Sequence, residues 1–352
     1  AGAFVTGNRV GSAATAGTAA VPSRVTTTER ANRFVTEHRA SATTLGRTLA
    51  DLVTEPDRFV TSMERGFRRL ADPSYRDAQI WVVPGAVGVI GIRGPLIQAV
   101  ERPVARALRE ASPAVSIYLA DACSQHDAFE VRLFALVPLR RSLPDDPERS
   151  WQIVRRLARR ASDWVSVDSL ADVVARGLLL EPFRWAEIEL LVYSPYRWER
   201  RLVAATLAEL PFRRSIGERV DLRTRPALSI IGTMIGEADP DVQKALSWAL
   251  RSWREVDPAG VSTFLRREAA TAVETDDGGR AWVVRDALTG RSADLGLAAE
   301  LKACLAGIRR RPHAPDTSLA HATASAFFVH AMPDPLDVEE APLDLAPSPV
   351  TA

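Results

Sequence analysis

The sequence predicts an all-α fold in which helix pairs stack into a curved solenoid with a concave face. From Thr28 onward, one segment after another carries apolar residues at i, i+3 and i+4, the spacing of one helix face. Proline pairs punctuate these segments, with Asp-Pro at 72–73 and 257–258 and Ser-Pro at 194–195. Strand-like stretches are few, so helices account for nearly all of the predicted order.

The predicted helices follow one another with the same apolar periodicity. They are expected at 57–70, 96–109, 128–140, 148–160, 167–180, 185–192, 198–210, 242–253 and 258–267. Ser166 or Ser169 is a candidate cap for the helix at 167–180. The apolar run 80–92 contains Pro84 and three glycines, which predicts a packed loop.

Composition divides the chain into four parts. Residues 1–27 are small, polar and without periodicity, which predicts disorder, and 28–271 form the main helical domain. Residues 272–332 are expected to be a C-terminal helical extension, with a loop at 274–279 and one helix within 292–311. The tail 333–352 is rich in proline and holds five acids and no base, which again predicts disorder.

Composition also excludes several classes of protein. The chain has 352 residues, of which 46% are hydrophobic and 25% charged, as expected for a soluble protein with a core. No apolar run is long enough to span a bilayer, and no secretory signal is evident. Cys123 and Cys304 are isolated, which argues against a zinc site or a disulfide framework and favours a reducing cytoplasm. No nucleotide-binding glycine motif is present, so we expect a cytoplasmic monomer without cofactor or metal.

Basic residues recur at the starts of apolar helices. Arg132, Arg201 and Lys244 each begin such a helix, at intervals that fit one or two helix pairs of the HEAT type, whose period is about 40 residues. In a stacked array, bases at one register would line the concave face and suit a polyanionic partner. For any one of them, a side chain that only reaches solvent is the simpler interpretation.

Three predicted helices carry aromatic or charged groups where an ordinary buried helix would carry aliphatic ones. Trp164 and Asp168 are four residues apart, so they share a helix face. A carboxylate in an apolar helix is unfavourable if buried, so Asp168 faces solvent, caps a helix or serves a site. The neighbouring Asp163 and Asp172 weaken an argument based on one carboxylate alone.

The other two helices supply indoles and cations. Trp198 precedes Arg200 and Arg201, and aromatics interleaved with arginines either bind a nucleic-acid backbone or form a structural cluster. Trp248 lies on the next predicted helix, where a single tryptophan is more often part of the core.

The same residues lie in motifs that carry a family resemblance. The motifs are 163–168, 197–201, 242–253 and 257–265, preceded by a Gly-Ile-x-x-Pro turn at 91–95 and a helix start at 130–134. In this order and spacing they resemble the bacterial DNA alkylation-repair glycosylases, which have a HEAT-like repeat fold. The resemblance covers about residues 57–268. Asp163 stands where that family commonly has an aromatic residue, and the stretch 76–91 is longer than usual.

The resemblance implies hydrolysis of the glycosidic bond of N3- or N7-alkylated purines in duplex DNA, without flipping the base into a deep pocket. It implies that Asp168 stabilises the sugar cation and orients water, and that Trp164 and Trp248 contact the deoxyribose. Arg201 would hold a phosphate beside the lesion. The expected DNA-binding residues are Arg201, Trp198, Arg200, Lys244, Arg132 and Arg251. An enzyme of this kind would be nucleoid-associated when bound to DNA.

Two other functions stay open from the sequence. A non-catalytic HEAT-like scaffold that binds DNA or a protein would have the same fold, with Asp168 salt-bridged or solvated. A glycosylase for bulky adducts would keep the chemistry and change the lesion.

Overall fold

The computed structural model describes residues 26–331, except 216, 217, 220, 221, 223 and 291–293. Within these residues the secondary structure is helical, with no strand, which confirms the predicted all-α class. The helices are α1 (Thr27–Ala50), α2 (Pro56–Arg69), α3 (Pro73–Val82), α4 (Gly94–Glu110), α5 (Pro113–Ser124), α6 (Phe129–Phe134), α7 (Leu136–Ser142), α8 (Pro147–Arg160), α9 (Trp164–Leu180), α10 (Trp185–Leu191), α11 (Arg197–Glu209), α12 (Thr224–Met234), α13 (Pro240–Arg254), α14 (Pro258–Thr275), α15 (Gly278–Ala287), α16 (Leu295–Cys304) and α17 (Leu319–Ala331).

Most predicted helices are present with their ends shifted by a few residues. The helix predicted at 128–140 is instead two helices that meet at Ala135. Pro138 explains the break, because proline offers no N–H to the carbonyl four residues earlier and its ring clashes with it. The run 80–92 begins inside α3, so its loop starts only at Val83. Of the two segments for which disorder was predicted, 333–352 and all but the last two residues of 1–27 lie outside the described part. The prediction is wrong for those two residues, because Thr26 is the N-cap of α1 and Thr27 is its first residue.

The prediction of a loop at 274–279 is wrong for most of these residues. Helix α14 continues to Thr275, and α15 begins at Gly278 with Asp277 as its N-cap. A carbon on Gly278 would lie 2.1 Å from the Arg309 carbonyl oxygen, so glycine serves here for close backbone approach and not for a turn. The domain boundary expected at 271/272 therefore falls inside α14.

Aspartate side chains start many of the helices. The Asp72, Asp239 and Asp257 carboxylates each accept a backbone N–H from the first turn of the helix that follows, and proline is the first residue of each. Asp163 does the same for α9, accepting from the Ser166 N–H at 2.8 Å and the Ser166 hydroxyl at 2.7 Å. It starts the helix at Trp164, three residues before the predicted start.

The helices that carry the candidate site lie side by side. Helix α9 packs on α11, α11 packs on α13, and α13 packs on α15. Contacts at both ends show that α11 and α13 run in the same direction: Arg201 meets the Asp241 carbonyl near their starts, and the Trp253 indole donates to the Leu207 carbonyl, 2.9 Å away, near their ends. One apolar cluster runs through all four helices, and a second joins α1, α2 and α4.

No helix in the described ranges is both long and apolar enough to cross a membrane.

Candidate active site and nucleic-acid interface

The predicted site centres on an ion pair between neighbouring helices. Asp168 is the fifth residue of α9 and Arg201 the fifth of α11. Arg201 donates from Nε to Oδ1 at 3.0 Å and from Nη2 to Oδ2 at 2.7 Å, so the pair is bidentate. The remaining Nη1 of Arg201 donates to the Asp241 carbonyl at the start of α13. One buried guanidinium therefore joins three consecutive helices of the row.

Burial dominates the electrostatics of Asp168. Burial raises the pKa of the Asp168 carboxyl, the hydrogen bonds and charge of Arg201 oppose this rise, and Asp163 and Asp241 add to it, so the pKa lies above its ordinary value. Its side chain is still 21% exposed, which leaves a path for water or a small group. The site thus holds a poorly hydrated carboxylate whose interaction with a nearby cation is strong.

The structure separates the three aspartates that the sequence left ambiguous. Asp163 caps α9, and Asp168 pairs with Arg201 on the face toward α11. Asp172, one turn further, accepts from Arg140 at 2.6 Å, Arg176 at 3.1 Å and Arg213 at 2.6 Å. Burial alone would raise the pKa of Asp172, but these arginines hold it below its ordinary value. Asp172 therefore serves the packing of helices, and Asp168 has the more accessible carboxylate.

Trp164 joins the site to the loop that follows α3. It is the first residue of α9, half-buried, one helical turn before Asp168 and on the same face. Its indole Nε1 donates to the Val82 carbonyl at 3.3 Å. We call residues 80–88, from the last turn of α3 into this loop, the rim segment.

Several fixed contacts hold the rim segment. The Ser162 hydroxyl donates to the Gly85 carbonyl at 2.8 Å, and the Phe129 N–H donates to the Gly88 carbonyl at 3.0 Å. Gly85 and Gly88 have positive φ, and a Cβ on Gly88 would lie 2.3 Å from the Asp127 carbonyl oxygen. The segment is therefore pressed against the backbone just before α9 and α6.

Glu130 is a structural residue whose role the sequence did not reveal. Its buried carboxylate accepts backbone N–H groups from Ile90 at 2.9 Å, Gly91 at 2.7 Å and Ile92 at 3.2 Å. The turn at 91–95 and the helix start at 130–134 were recognised as separate motifs, and this carboxylate joins them. A glutamate at the second position of an apolar helix was the available signal.

The indoles on the other two helices are half-buried. Trp198 lies at the start of α11 with the Arg197 guanidinium 4.6 Å from its ring centroid. Trp248 lies in the third turn of α13, and both indoles pack against the main apolar cluster. Each therefore combines a structural face with an accessible one.

The predicted phosphate ligands fall into two groups. Arg200 pairs with Glu237 at 2.6 Å, Arg251 pairs with Asp286 at 2.6 Å, and Arg132 donates to the carbonyls of residues 126 and 127 at 3.0 Å each. These guanidinium groups already have intramolecular partners. Lys244 differs, because its side chain is 61% exposed and its Nζ lies 3.4 Å from Asp241. Lys244 is the fifth residue of α13, so it continues the row of Asp168 and Arg201.

A large cavity among the described residues lies elsewhere. It has a volume of about 1240 Å³ and is lined by the starts of α13 and α15, by Arg200 and Glu237, and by the segment 309–318. Asp168 and Trp164 are not among its lining residues. The candidate site therefore does not belong to this cavity.

Fold and site together define an all-helical protein in which neighbouring helices share a buried carboxylate–guanidinium pair beside half-buried indoles. A family model described as DNA alkylation repair enzyme matches residues 63–289, a range that includes α9, α11, α13 and α15. The match covers more than half of the chain, so the protein belongs to this family of DNA alkylation repair enzymes. It thereby has a role in alkylation repair, with DNA as its partner. No curated protein and no solved structure gives a significant match.

Proposed function

We propose that the protein is a DNA glycosylase that hydrolyses the N-glycosidic bond of N3- or N7-alkylated purines in duplex DNA. The observation that carries this proposal is Asp168: a carboxylate with a raised pKa, partly accessible, one turn from Trp164 and beside Arg201. The proposal is supported by the family match, whose range of residues 63–289 includes Asp168.

The chemistry needs little more than a positioned anion. An alkylated purine is already cationic and leaves readily, so the protein does not have to protonate it. As the bond breaks, positive charge develops on the deoxyribose. Asp168 would stabilise this charge and orient the attacking water through a free lone pair. Because the carboxylate is poorly hydrated, its attraction to the sugar cation is stronger than it would be in bulk water.

Arg201 would have two partners in this mechanism. In the free protein it neutralises Asp168, and on DNA a phosphate beside the lesion competes for the same guanidinium. Withdrawal of Arg201 toward the phosphate would leave Asp168 facing the developing sugar cation. Trp164 and Trp248 would contact the deoxyribose with their negative ring faces.

The remaining contacts follow from the row of helix starts. Lys244 is the most available phosphate ligand, because its charge is largely exposed. The other predicted DNA-binding residues would contribute mainly by holding the helices that form this surface in place. They are Trp198 and the paired arginines Arg132, Arg200 and Arg251. We place it on the concave face of a HEAT-like solenoid, where an open site suits catalysis without base flipping.

One observation favours a second candidate, a non-catalytic scaffold that binds DNA. Both carboxylate oxygens of Asp168 accept a hydrogen bond from Arg201, which is the salt-bridged state expected of a scaffold. The two candidates differ in whether DNA opens this pair. They make opposite predictions for the turnover of a lesion.

The test is release of free base from duplex DNA that carries 7-methylguanine. Asp168→Asn keeps the shape of the side chain and removes its charge, so we expect release to fall by at least about 100-fold while DNA binding is kept. The matched control is Asp172→Asn, one turn along the same helix, assayed at a temperature where it is folded. Equal release by the unmodified protein and Asp168→Asn would refute the catalytic assignment. Tight DNA binding without release of this or any other alkylated purine would favour the scaffold.

A further inference from the structure

The rim segment exposes more apolar surface than its surroundings explain. Trp81 is 83% exposed, the highest value among the exposed large hydrophobic side chains of the described residues, and Val87 is 67% exposed. Ile80 and Val82 are about half exposed as well. Single exposed apolar residues are ordinary on protein surfaces, but a cluster that includes an indole marks an interaction site.

The cluster is held in place. The carbonyls of Val82, Gly85 and Gly88 all accept hydrogen bonds, and the Arg132 guanidinium reaches the Val87 carbonyl at 3.4 Å. A segment fixed at four carbonyls loses little conformational entropy when it binds a partner. The exposed indole is thus presented on a rigid support.

The cluster adjoins the candidate active site directly. The bond from the Trp164 indole to the Val82 carbonyl connects the residue after Trp81 to the residue one turn before Asp168. A duplex whose lesion reaches Asp168 therefore has to pass over or beside the rim segment.

The chemistry of the cluster selects an apolar partner. Residues 78–92 contain no charged side chain, so the segment has no cation to pair with a phosphate. The apolar surface that duplex DNA can offer to an indole is the face of a base, which becomes accessible when a side chain enters between two base steps. Indole rings stack on such faces with little dependence on base identity.

We infer that Trp81 is a wedge that stacks on an unstacked nucleobase next to the lesion, with the rim segment as its rigid mount. Side chains of this type enter between base steps in many proteins that deform DNA. The inference rests on the proposed function for the location of the lesion at Asp168. It adds a second element to the DNA interface, on the chain before α4, that acts through stacking and not through charge.

The experiment measures duplex binding by the full chain carrying Asp168→Asn, so that turnover is suppressed during the titration. The probe is a duplex with 7-methylguanine and 2-aminopurine as the adjacent base, titrated at several salt concentrations. Adding Trp81→Ala is expected to raise Kd by about 5- to 100-fold and to abolish the fluorescence change of 2-aminopurine. The slope of log Kd against log salt stays the same, because an apolar contact releases no counterions.

The controls separate this inference from the function on which it rests. Trp81→Phe keeps an aromatic face and should restore most of the binding, and Tyr118→Ala removes another exposed aromatic, 64% exposed on α5, and should change nothing. If the parent chain binds no duplex, the proposed function fails and the wedge with it. If the parent binds and Trp81→Ala leaves both Kd and fluorescence unchanged, only the wedge is overturned. A lowered melting temperature of Trp81→Ala would also overturn it, since that result assigns the indole to packing.

Discussion

Arg201 meets both carboxylate oxygens of Asp168 from the adjacent helix, at 3.0 and 2.7 Å. The guanidinium lowers the pKa of this carboxyl, but burial, together with the charges of Asp163 and Asp241, leaves the pKa above its ordinary value. The same ion pair therefore joins α9 to α11 and sets the pKa of the carboxylate on which the proposed chemistry depends.

The pair predicts the acid limb of the pH–activity profile. In the proposed mechanism base release requires ionised Asp168, so we expect it to fall as the pH drops through the pKa of that residue. Because the pKa is raised, the fall comes at higher pH than for an ordinary aspartate, whose pKa is about 3.9. Arg201→Gln removes the opposing influence and should move the limb to still higher pH.

Single-turnover release of base, corrected for spontaneous depurination, measures this shift. Lys244→Ala is the control, because it removes a cation from the next helix without touching Asp168. An acid limb at the same pH in Arg201→Gln and the unmodified protein would contradict the assignment of Asp168.

Asp172 predicts a different pH effect, on stability. Its pKa is held below the unfolded value, so its ionised form stabilises the folded state above about pH 4, and this contribution is lost as the pH falls through the lower folded pKa. Asp172→Asn leaves three arginines without their shared anionic acceptor and should lower the free energy of unfolding at pH 7 by about 1–3 kcal/mol. Denaturant unfolding at a series of pH values checks this. A difference from the unmodified protein that persists undiminished in acid would show that the loss is steric.

We expect the Glu130 carboxylate to keep the turn at 90–92 ordered. Glu130→Gln replaces one acceptor oxygen by an amide group that opposes the backbone N–H groups, with an expected loss of about 1–3 kcal/mol. Hydrogen exchange of the Ile90, Gly91 and Ile92 amides should accelerate in this variant. Amides in α13 serve as the internal reference, and equal protection of the turn in both proteins would argue that the carboxylate adds nothing.

Lys244 and Arg200 predict opposite outcomes although both were candidate phosphate ligands. Lys244→Ala should reduce the salt slope of duplex binding by about 0.9, one released counterion, and leave the melting temperature nearly unchanged. Arg200→Ala should leave the slope unchanged and lower stability, because it isolates the buried Glu237 carboxylate. Salt titrations and melting curves of both variants distinguish these cases, and a slope change in Arg200→Ala would show that its ion pair opens on DNA.

Local periodicity was sufficient to predict most of the helices and the shared face of Trp164 and Asp168, because these depend on residues a few positions apart. It could not predict that Arg201 closes on Asp168 or that Glu130 holds the turn at 90–92, since both contacts join residues far apart in the chain. Helix α15 was missed because Gly278 has the appearance of a loop residue. That glycine is required by contact with a distant backbone carbonyl.

Two hydrogen-bonded anchors, at Val82 and Ile90, have a consequence for how this protein varies. The Trp164 indole fixes the chain at Val82, and Glu130 fixes it again at Ile90, and each anchor belongs to a different helix. Between these points Gly85 and Gly88 are fixed by close contact with the backbone at Ser162 and Asp127, whereas the exposed side chain of Val87 can change without displacing the carboxylate of Asp168. We therefore expect divergence of substrate range, or its redesign, to be accommodated most readily at such exposed positions, where a new side chain alters what approaches the site and leaves the proposed catalytic carboxylate in place.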